Sequence, residues 1–350
     1  SAFLYATGRS FSAIVGFMRQ RAAQVKADHH LLVDGTLKSN ESRINTLSDY
    51  SRKALKKGTR DISVMYAFDL ELMEPICSKC YPGNMLDLTA CEDFITENQI
   101  KRGIMVGDKG FPSSAIAGIL ASCPELHFLN PLKRDSKAIS RLGLTDYEGA
   151  LLGNPRVLFR KAGEKTGGRA RWYYAFKDID LAAKEEGDWV GRAAKGGNFT
   201  NEEYDRKRLT SGTLVLESDL DMEPRVAFDA YQSRWEIELV MRYYKHACEF
   251  DETRVHDDFS VIASEFCDFL STLLTYRLIN TFDRCRLMEG GKTYRQLMRQ
   301  LRRAKKVNLP GEGWKLVRTN PSQVRMLQDL SLLETPKVEP RRRGRPRKNV

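Results

Sequence analysis

Leu31-Leu32-Val33-Asp34-Gly35-Thr36 and, further along, Ile104-Met105-Val106-Gly107-Asp108-Lys109-Gly110-Phe111 share one design: three apolar residues, then an acid with glycine beside it. Runs this short, stopped by turn-forming residues, suit buried strands better than helices. Outward from the first run, strands are predicted at about 61–68, where Ile62, Val64, Tyr66 and Phe68 alternate strictly, and at 73–80, together a meander. Tyr81-Pro82-Gly83-Asn84 breaks the chain, Asp87 is a candidate cap, and 87–98 has helical spacing leading to the second acid-ended run. Residues 113–122 read as helix and His127-Phe128-Leu129 as a further short strand. Three strands followed by alternating helix and strand predict an α/β protein with a mixed sheet.

Ahead of this core, 11–25 repeats its apolar residues near the helical period. Behind it the texture changes from about 134: strands at 156–161 and 170–177, a charged segment 181–194 and a Gly- and Lys-rich loop at 195–198 read as an insertion. Leu214-Val215-Leu216 restores strand character, and a long helix with no internal Gly or Pro is predicted from Arg225 to about 248. Helices follow, with 259–284 strongly apolar and 293–306 amphipathic and basic.

The 350 residues carry 41% hydrophobic and 29% charged side chains, the composition of a globular protein of two or three units. No stretch reaches the roughly 18 apolar residues of a membrane span, and there is no signal-peptide order at the N-terminus, so a cytoplasmic, nucleoid-associated location is expected. A first residue Ser1 in place of Met suggests a processed or truncated chain. A net charge of +11 favours a polyanionic partner, nucleic acid first. The seven cysteines read as reduced thiols, and Cys77-x-x-Cys80 has no second pair to complete a zinc site. His29 and His30, adjacent on a strand, would point to opposite faces and make a poor metal pair.

Asp34 and Asp108 are each predicted at the C-terminal end of a buried strand, the edge where α/β sheets bind ligands. Two carboxylates brought together there call for a cation, with Mg²⁺ the natural hard partner. On the long helix, Tyr231, Arg234, Glu238 and Lys245 fall at about 0°, 300°, 340° and 320°, with Trp235 and Arg242 near 40° and 20°. That face is anionic at one point and otherwise cationic and aromatic, which suits a carboxylate on a metal among groups that hold phosphates. A solvated helix face carries mixed charges too, and strand-end aspartates also serve as turn residues. Their joint occurrence favours the site.

These residues resemble the catalytic domain of DDE transposases, in particular the bacterial insertion-sequence group with the signature Y-(2)-R-(3)-E-(6)-K. Tyr231, Arg234, Glu238 and Lys245 complete that signature, Asp34-Gly-Thr resembles the first aspartate motif, Asp108-Lys-Gly-Phe the second, and Tyr81-Pro-Gly-Asn-x-x-Asp87 a turn of the same group. The resemblance spans about 29–133 and 213–250. It implies a ribonuclease-H-like sheet with Asp34 on its first strand, Asp108 on its fourth, Glu238 on the closing helix, and a β-rich insertion between the last two. It further implies two Mg²⁺ ions, with Mn²⁺ as substitute, held by Asp34, Asp108 and Glu238. Tyr231, Arg234, Trp235, Arg242 and Lys245 would contact DNA. The expected function is cleavage at transposon ends and strand transfer into target DNA by a DNA-bridged homodimer. The alternatives are a ribonuclease-H-like nuclease that cuts without joining, and a catalytically inactive DNA-binding derivative. Relatives often pass through a DNA hairpin held by aromatic residues, but Trp172 and Trp189 read here as insertion-core residues.

The expected organisation is a helical lead-in (1–28), a first part of the catalytic core (29–133), an insertion (134–212), a second part bearing the glutamate (213–290), a helical region (291–335) and a basic tail (336–350). In that tail Arg343-Gly344-Arg345-Pro346-Arg347 resembles an AT-hook, an extended arginine-rich segment for a narrow A·T minor groove. A polycation binding phosphate without groove preference is the less favoured reading of the same residues. The basic face of 293–306 divides likewise between tracking DNA and lying in solvent.

Overall fold

Two helices, α1 (Ala2–Arg9) and α2 (Phe11–Ala22), lead into a meander of β1 (His30–Ser39), the short β2 (Asp49–Tyr50), β3 (Arg60–Asp69) and β4 (Glu74–Pro82). Helix α3 (Asp87–Asn98), β5 (Arg102–Val106), α4 (Ala117–Ser122) and β6 (Glu125–Pro131) complete the alternating stretch. The computed structural model describes residues 2–51, 58–107, 116–165, 169–196, 199–235, 252–317 and 319–334. It comprises two units, Ser1–Leu273 and Leu274–Val350.

In the first unit β3 pairs antiparallel with both β1 and β4, while β5 runs parallel to β1 and β6 parallel to β5. The order β4-β3-β1-β5-β6 is thus an antiparallel meander extended by two parallel strands, the ribonuclease-H-like mixed α/β sheet that the resemblance implies. After α5 (Lys137–Arg141), the segment 134–212 holds β7 (Gly149–Leu151), β8 (Asn154–Glu164), β9 (Arg171–Asp178), α6 (Ile179–Gly196) and α7 (Asn201–Thr210). Its strands join the same sheet, because β10 (Thr213–Ser218) pairs with β6 on one side and β9 on the other. The charged segment 181–194 is helical, despite Gly187 and Gly191, as part of α6.

Cores form on both faces of the sheet. Leu31, Val33, Met65, Met105 and Phe128 pack with Met18 of α2, Phe94 of α3 and Leu120 of α4. On the other face Ile104, Val106, Leu129, Tyr174 and Leu216 pack with Ala227, Ala230 and Tyr231 of α8, described over 224–235. Each large apolar side chain buried in these layers contributes about 1.5–3 kcal/mol. Tyr81-Pro82-Gly83-Asn84 turns the chain where only glycine fits: a Cβ on Gly83 would stand 2.1 Å from the Asp61 carbonyl oxygen and 2.7 Å from that of Asp49.

Helix α9 (Asp258–Arg284) opens the chain's C-terminal part, and its residues up to Leu273 belong to the first unit. The second unit contains a 3₁₀ turn (Glu289–Gly291), α10 (Tyr294–Leu301), a two-stranded ribbon of β11 (Lys305–Leu309) and β12 (Gly313–Val317), and α11 (Pro321–Asp329). Phe282, Leu287, Leu297 and Met326 form its core. The basic stretch 293–306 is therefore not one helix: α10 ends at Leu301 and Lys305-Lys306 begin the ribbon, which Pro310-Gly311 turns back on itself. No helix among the described residues is long and apolar enough to cross a membrane.

Candidate functional site

Asp34 lies within β1, five residues before its end, where the sequence places it at the strand terminus. Pairing explains the difference. The parallel partner β5 stops at Leu32–Val106, whereas the antiparallel partner β3 continues to hold β1 through Asp34–Tyr66 as far as Ser39–Asp61. Asp34 therefore stands just past the edge of the parallel pairing, half-buried, its Oδ1 accepting the Gly35 N–H at 2.9 Å.

Strand parity decides which way this carboxylate faces. Successive side chains alternate, and His30 and Leu32 pair in parallel register with Ile104 and Val106. The even-numbered residues of β1, Asp34 among them, thus share the face of Ile104 and Val106, which is the face that α8 covers. The described part of β5 and its exit ends at Gly107, whose N–H is shared between the Leu129 carbonyl at 3.3 Å and the buried Asn130 Oδ1 at 3.2 Å. Asp108 lies outside the described residues. So do Glu238, Arg242 and Lys245, and so do Arg343, Gly344, Arg345, Pro346 and Arg347 of the tail.

The entry to α8 is fixed by Tyr174 on β9. Its hydroxyl donates to the Leu220 carbonyl at 2.8 Å and accepts the Met222 N–H at 2.7 Å. Burial pushes that phenol up to about 12, so it keeps its proton and can serve both bonds. Arg225 adds a bond to the Leu152 carbonyl at 2.7 Å. Of the predicted DNA ligands on α8, Tyr231 is 7% exposed and packs its ring in the core, the Arg234 guanidinium lies 6.0 Å from that ring's centroid, and Trp235 is 55% exposed. The described structure brings Tyr231, Arg234 and Trp235 together on one helix.

Beyond the span 236–251 the chain is again tied to β1. Glu252 bridges Ser39, the Thr253 N–H donates to the Ser39 carbonyl at 2.9 Å, and Asn40 Nδ2 donates to the carbonyls of Thr253 at 2.7 Å and Val255 at 3.0 Å. Lys38, on the same face as Asp34, donates to Glu265 at 2.5 Å and Asp268 at 2.9 Å of α9, and Glu265 accepts the Thr253 hydroxyl at 2.8 Å. Burial pulls the Lys38 ammonium down, but Tyr66 and these carboxylates outweigh it and hold the group above the ordinary lysine range. The segments that flank Glu238 in sequence are therefore each anchored, one on the face of Asp34 and the other at the end of its strand.

One cluster escapes the sequence reading. His29 Nδ1 lies 2.6 Å from Asp69 Oδ2 and His30 Nδ1 2.6 Å from Glu71 Oε1, so neighbouring histidines reach carboxylates at one strand end. His29, Asp69 and Glu71 are the group among the described residues whose ligand atoms converge closely enough for a metal. The signal was the antiparallel pairing of Leu31 with Asp69, which no local pattern reveals. Asp69 Oδ1 already accepts the N–H groups of Glu71 and Leu72, and Glu71 accepts that of His30, so the cluster closes the turn after β3. It lies five residues from Asp34 along the strand, about 16 Å. Cys77 and Cys80 form no such group among the described residues, and burial pushes the Cys77 thiol up.

Residues 26–262, more than half of the chain, match the family model described as "Transposase DDE domain". Among solved structures, the chain is similar to a piggyBac transposase in a cryo-EM synaptic complex with hairpin DNA, at 14% identity and a TM-score of 0.38. That similarity covers 82% of this chain and 59% of the other. No curated protein sequence matches this one.

Proposed function

Because the chain belongs to the transposase DDE domain family, we propose that it is an insertion-sequence transposase that cleaves DNA at the element's ends and joins the exposed 3′ ends to target DNA, with Asp34, Asp108 and Glu238 as its three carboxylates. The observation that carries this reading is the parallel register of β1 and β5. Asp34 and Asp108 are separated by the same sequence interval as His30 and Ile104 or Leu32 and Val106. Two residues further along the same register, their side chains would be neighbours on the face that α8 covers. Glu238 follows Trp235 by three residues, between the two anchored flanks.

The donor set fits a pair of Mg²⁺ ions, with Mn²⁺ as substitute: three carboxylates offer hard oxygen ligands and no imidazole or thiolate. Two such ions, when bound, stabilise attacking and leaving oxygens of a phosphodiester. The His29, Asp69 and Glu71 group includes an imidazole and spends one oxygen of each carboxylate on backbone N–H groups and the other on a histidine ring, which suits a structural turn. In the chain itself, the Gly35 N–H holds one oxygen of Asp34 in place. Asn130 fixes Gly107, the residue before Asp108. Arg234 and Trp235 of α8, joined by Arg242 and Lys245 further along the sequence, serve as DNA ligands; Tyr231 supports Arg234 from the core below it. The tail, Arg343 to Arg347, adds a minor-groove or phosphate contact, and the working assembly is a homodimer bridged by DNA.

The test uses duplexes carrying the element's terminal repeats, with Mg²⁺ or Mn²⁺. Asp34→Ala, Asp108→Ala and Glu238→Ala should each abolish cleavage while retaining DNA binding. Cleavage surviving in any one of them rejects the assignment. Cleavage by the parent without joined products leaves a nuclease in place of a transposase.

A further inference from the structure

The ribbon of β11 and β12 is built unlike the rest of the molecule. Its pairing runs from Lys305–Val317 to Leu309–Gly313, and every residue of β11 is exposed. Trp314 is 69% exposed, Val307 41% and Leu309 37%. A two-stranded hairpin is marginally stable in water by itself, and large apolar side chains in its solvent-facing positions do nothing to help. The charge is one-sided. Arg302, Arg303, Lys305, Lys306 and Lys315 stand against Glu312, which pairs with Lys315. Lysines protect exposed strand edges from aggregation, which accounts for Lys305 and Lys306 but not for the indole.

We propose that this ribbon is a second DNA-binding element, seated in a groove of duplex DNA. It rests on the reading of DNA as the substrate, and it assigns a contact outside the carboxylate site and the tail. The major groove admits a two-stranded ribbon, and the pairing puts lysines on both of its faces: Lys306 with Trp314 and Asn308 on one, Lys305 and Lys315 on the other. That arrangement offers cations to both phosphate walls of a groove while the Trp314 ring and the Asn308 amide, directly opposite each other, lie against the base edges. A binder of acidic protein would need the cations alone.

The experiment measures binding of the full chain, tail intact, to a fluorescein-labelled duplex of mixed sequence in EDTA between about 50 and 200 mM salt. Each lost phosphate contact lowers the slope of log K against log salt by about 0.9. The triple variant Lys305→Gln, Lys306→Gln, Lys315→Gln should therefore lose about 2–3 from the slope and about two orders of magnitude in affinity at 0.1 M salt. These side chains are exposed, so its melting temperature should match the parent's. In the parent, hydrogen exchange over 305–317 should slow on adding the duplex. An unchanged slope overturns the proposal, as does a triple variant that keeps its slope but loses self-association, which would assign the ribbon to a second copy of the chain. Since cleavage plays no part in the readout, a parent that binds through the ribbon yet never cuts its ends sinks the transposase reading alone.

Discussion

Replacing Lys38 by Met should unfold the first unit far more readily than any surface substitution, and the structure sets the size of the effect. Lys38 is 2% exposed and its ammonium is shared between Glu265, equally buried, and the partly exposed Asp268. Removing one partner of a buried pair strands the other charge, which costs about 3–5 kcal/mol. At roughly 2–4 °C per kcal/mol for a unit of this size, Lys38→Met should lower the melting temperature by about 6–20 °C. Burial already raises the Glu265 carboxyl above its ordinary value, and losing Lys38 raises it further. A carboxyl whose folded pKa exceeds its unfolded one destabilises at neutral pH and is relieved as pH falls toward the unfolded value. The deficit should accordingly shrink between pH 7 and pH 5. Glu265→Gln added to Lys38→Met should recover about 1–3 kcal/mol, since an amide can still accept the Thr253 hydroxyl. Urea unfolding of the single and double variants at both pH values checks this. A Lys38→Met cost below about 1 kcal/mol, or one that grows at low pH, would refute the reasoning that a charge-paired network ties the Asp34 strand to α9.

Asn130→Ala should cost about 1–2 kcal/mol by removing one acceptor of the Gly107 N–H; under the proposed function it should also cut the cleavage rate with DNA affinity unchanged, as kinetics and gel shifts would show. Gly83→Ala should cost about 3 kcal/mol or more, because its Cβ would meet backbone oxygens that cannot yield; chemical denaturation measures it. Burial acts to raise the Glu71 carboxyl, but hydrogen bonds from the His30 ring and backbone outweigh it and leave the group below its ordinary value. Its stabilisation is thus complete above about pH 4.5 and is lost as pH falls through the folded pKa, so Glu71→Gln should flatten the acid limb of stability against pH.

The sheet was legible because its strands announce themselves locally: alternation at Ile62 to Phe68, and apolar runs closed by an aspartate with glycine beside it. Asp34 was identified as a candidate from the same local signal, yet its place inside β1 was not, since the strand's length is set by β3, a partner distant in sequence. The His29, Asp69 and Glu71 cluster was hidden for the same reason. Helix α6 was obscured by two internal glycines, Gly187 and Gly191, which stand in open space with no neighbour to explain them, and the ribbon by lysines that continue the basic pattern of α10 across its end. Tyr231 shows the limit of a helical wheel: it finds the shared face with Arg234 but not that the ring fills the core.

The most direct test of the central claim is the position of Mn²⁺ in crystals of the full chain, read from its anomalous scattering. Two sites roughly 3.5–4 Å apart, ligated by Asp34, Asp108 and Glu238, are the predicted result. Manganese bound only elsewhere, at His29, Asp69 and Glu71 for example, with Glu238 remote from both aspartates, would contradict it.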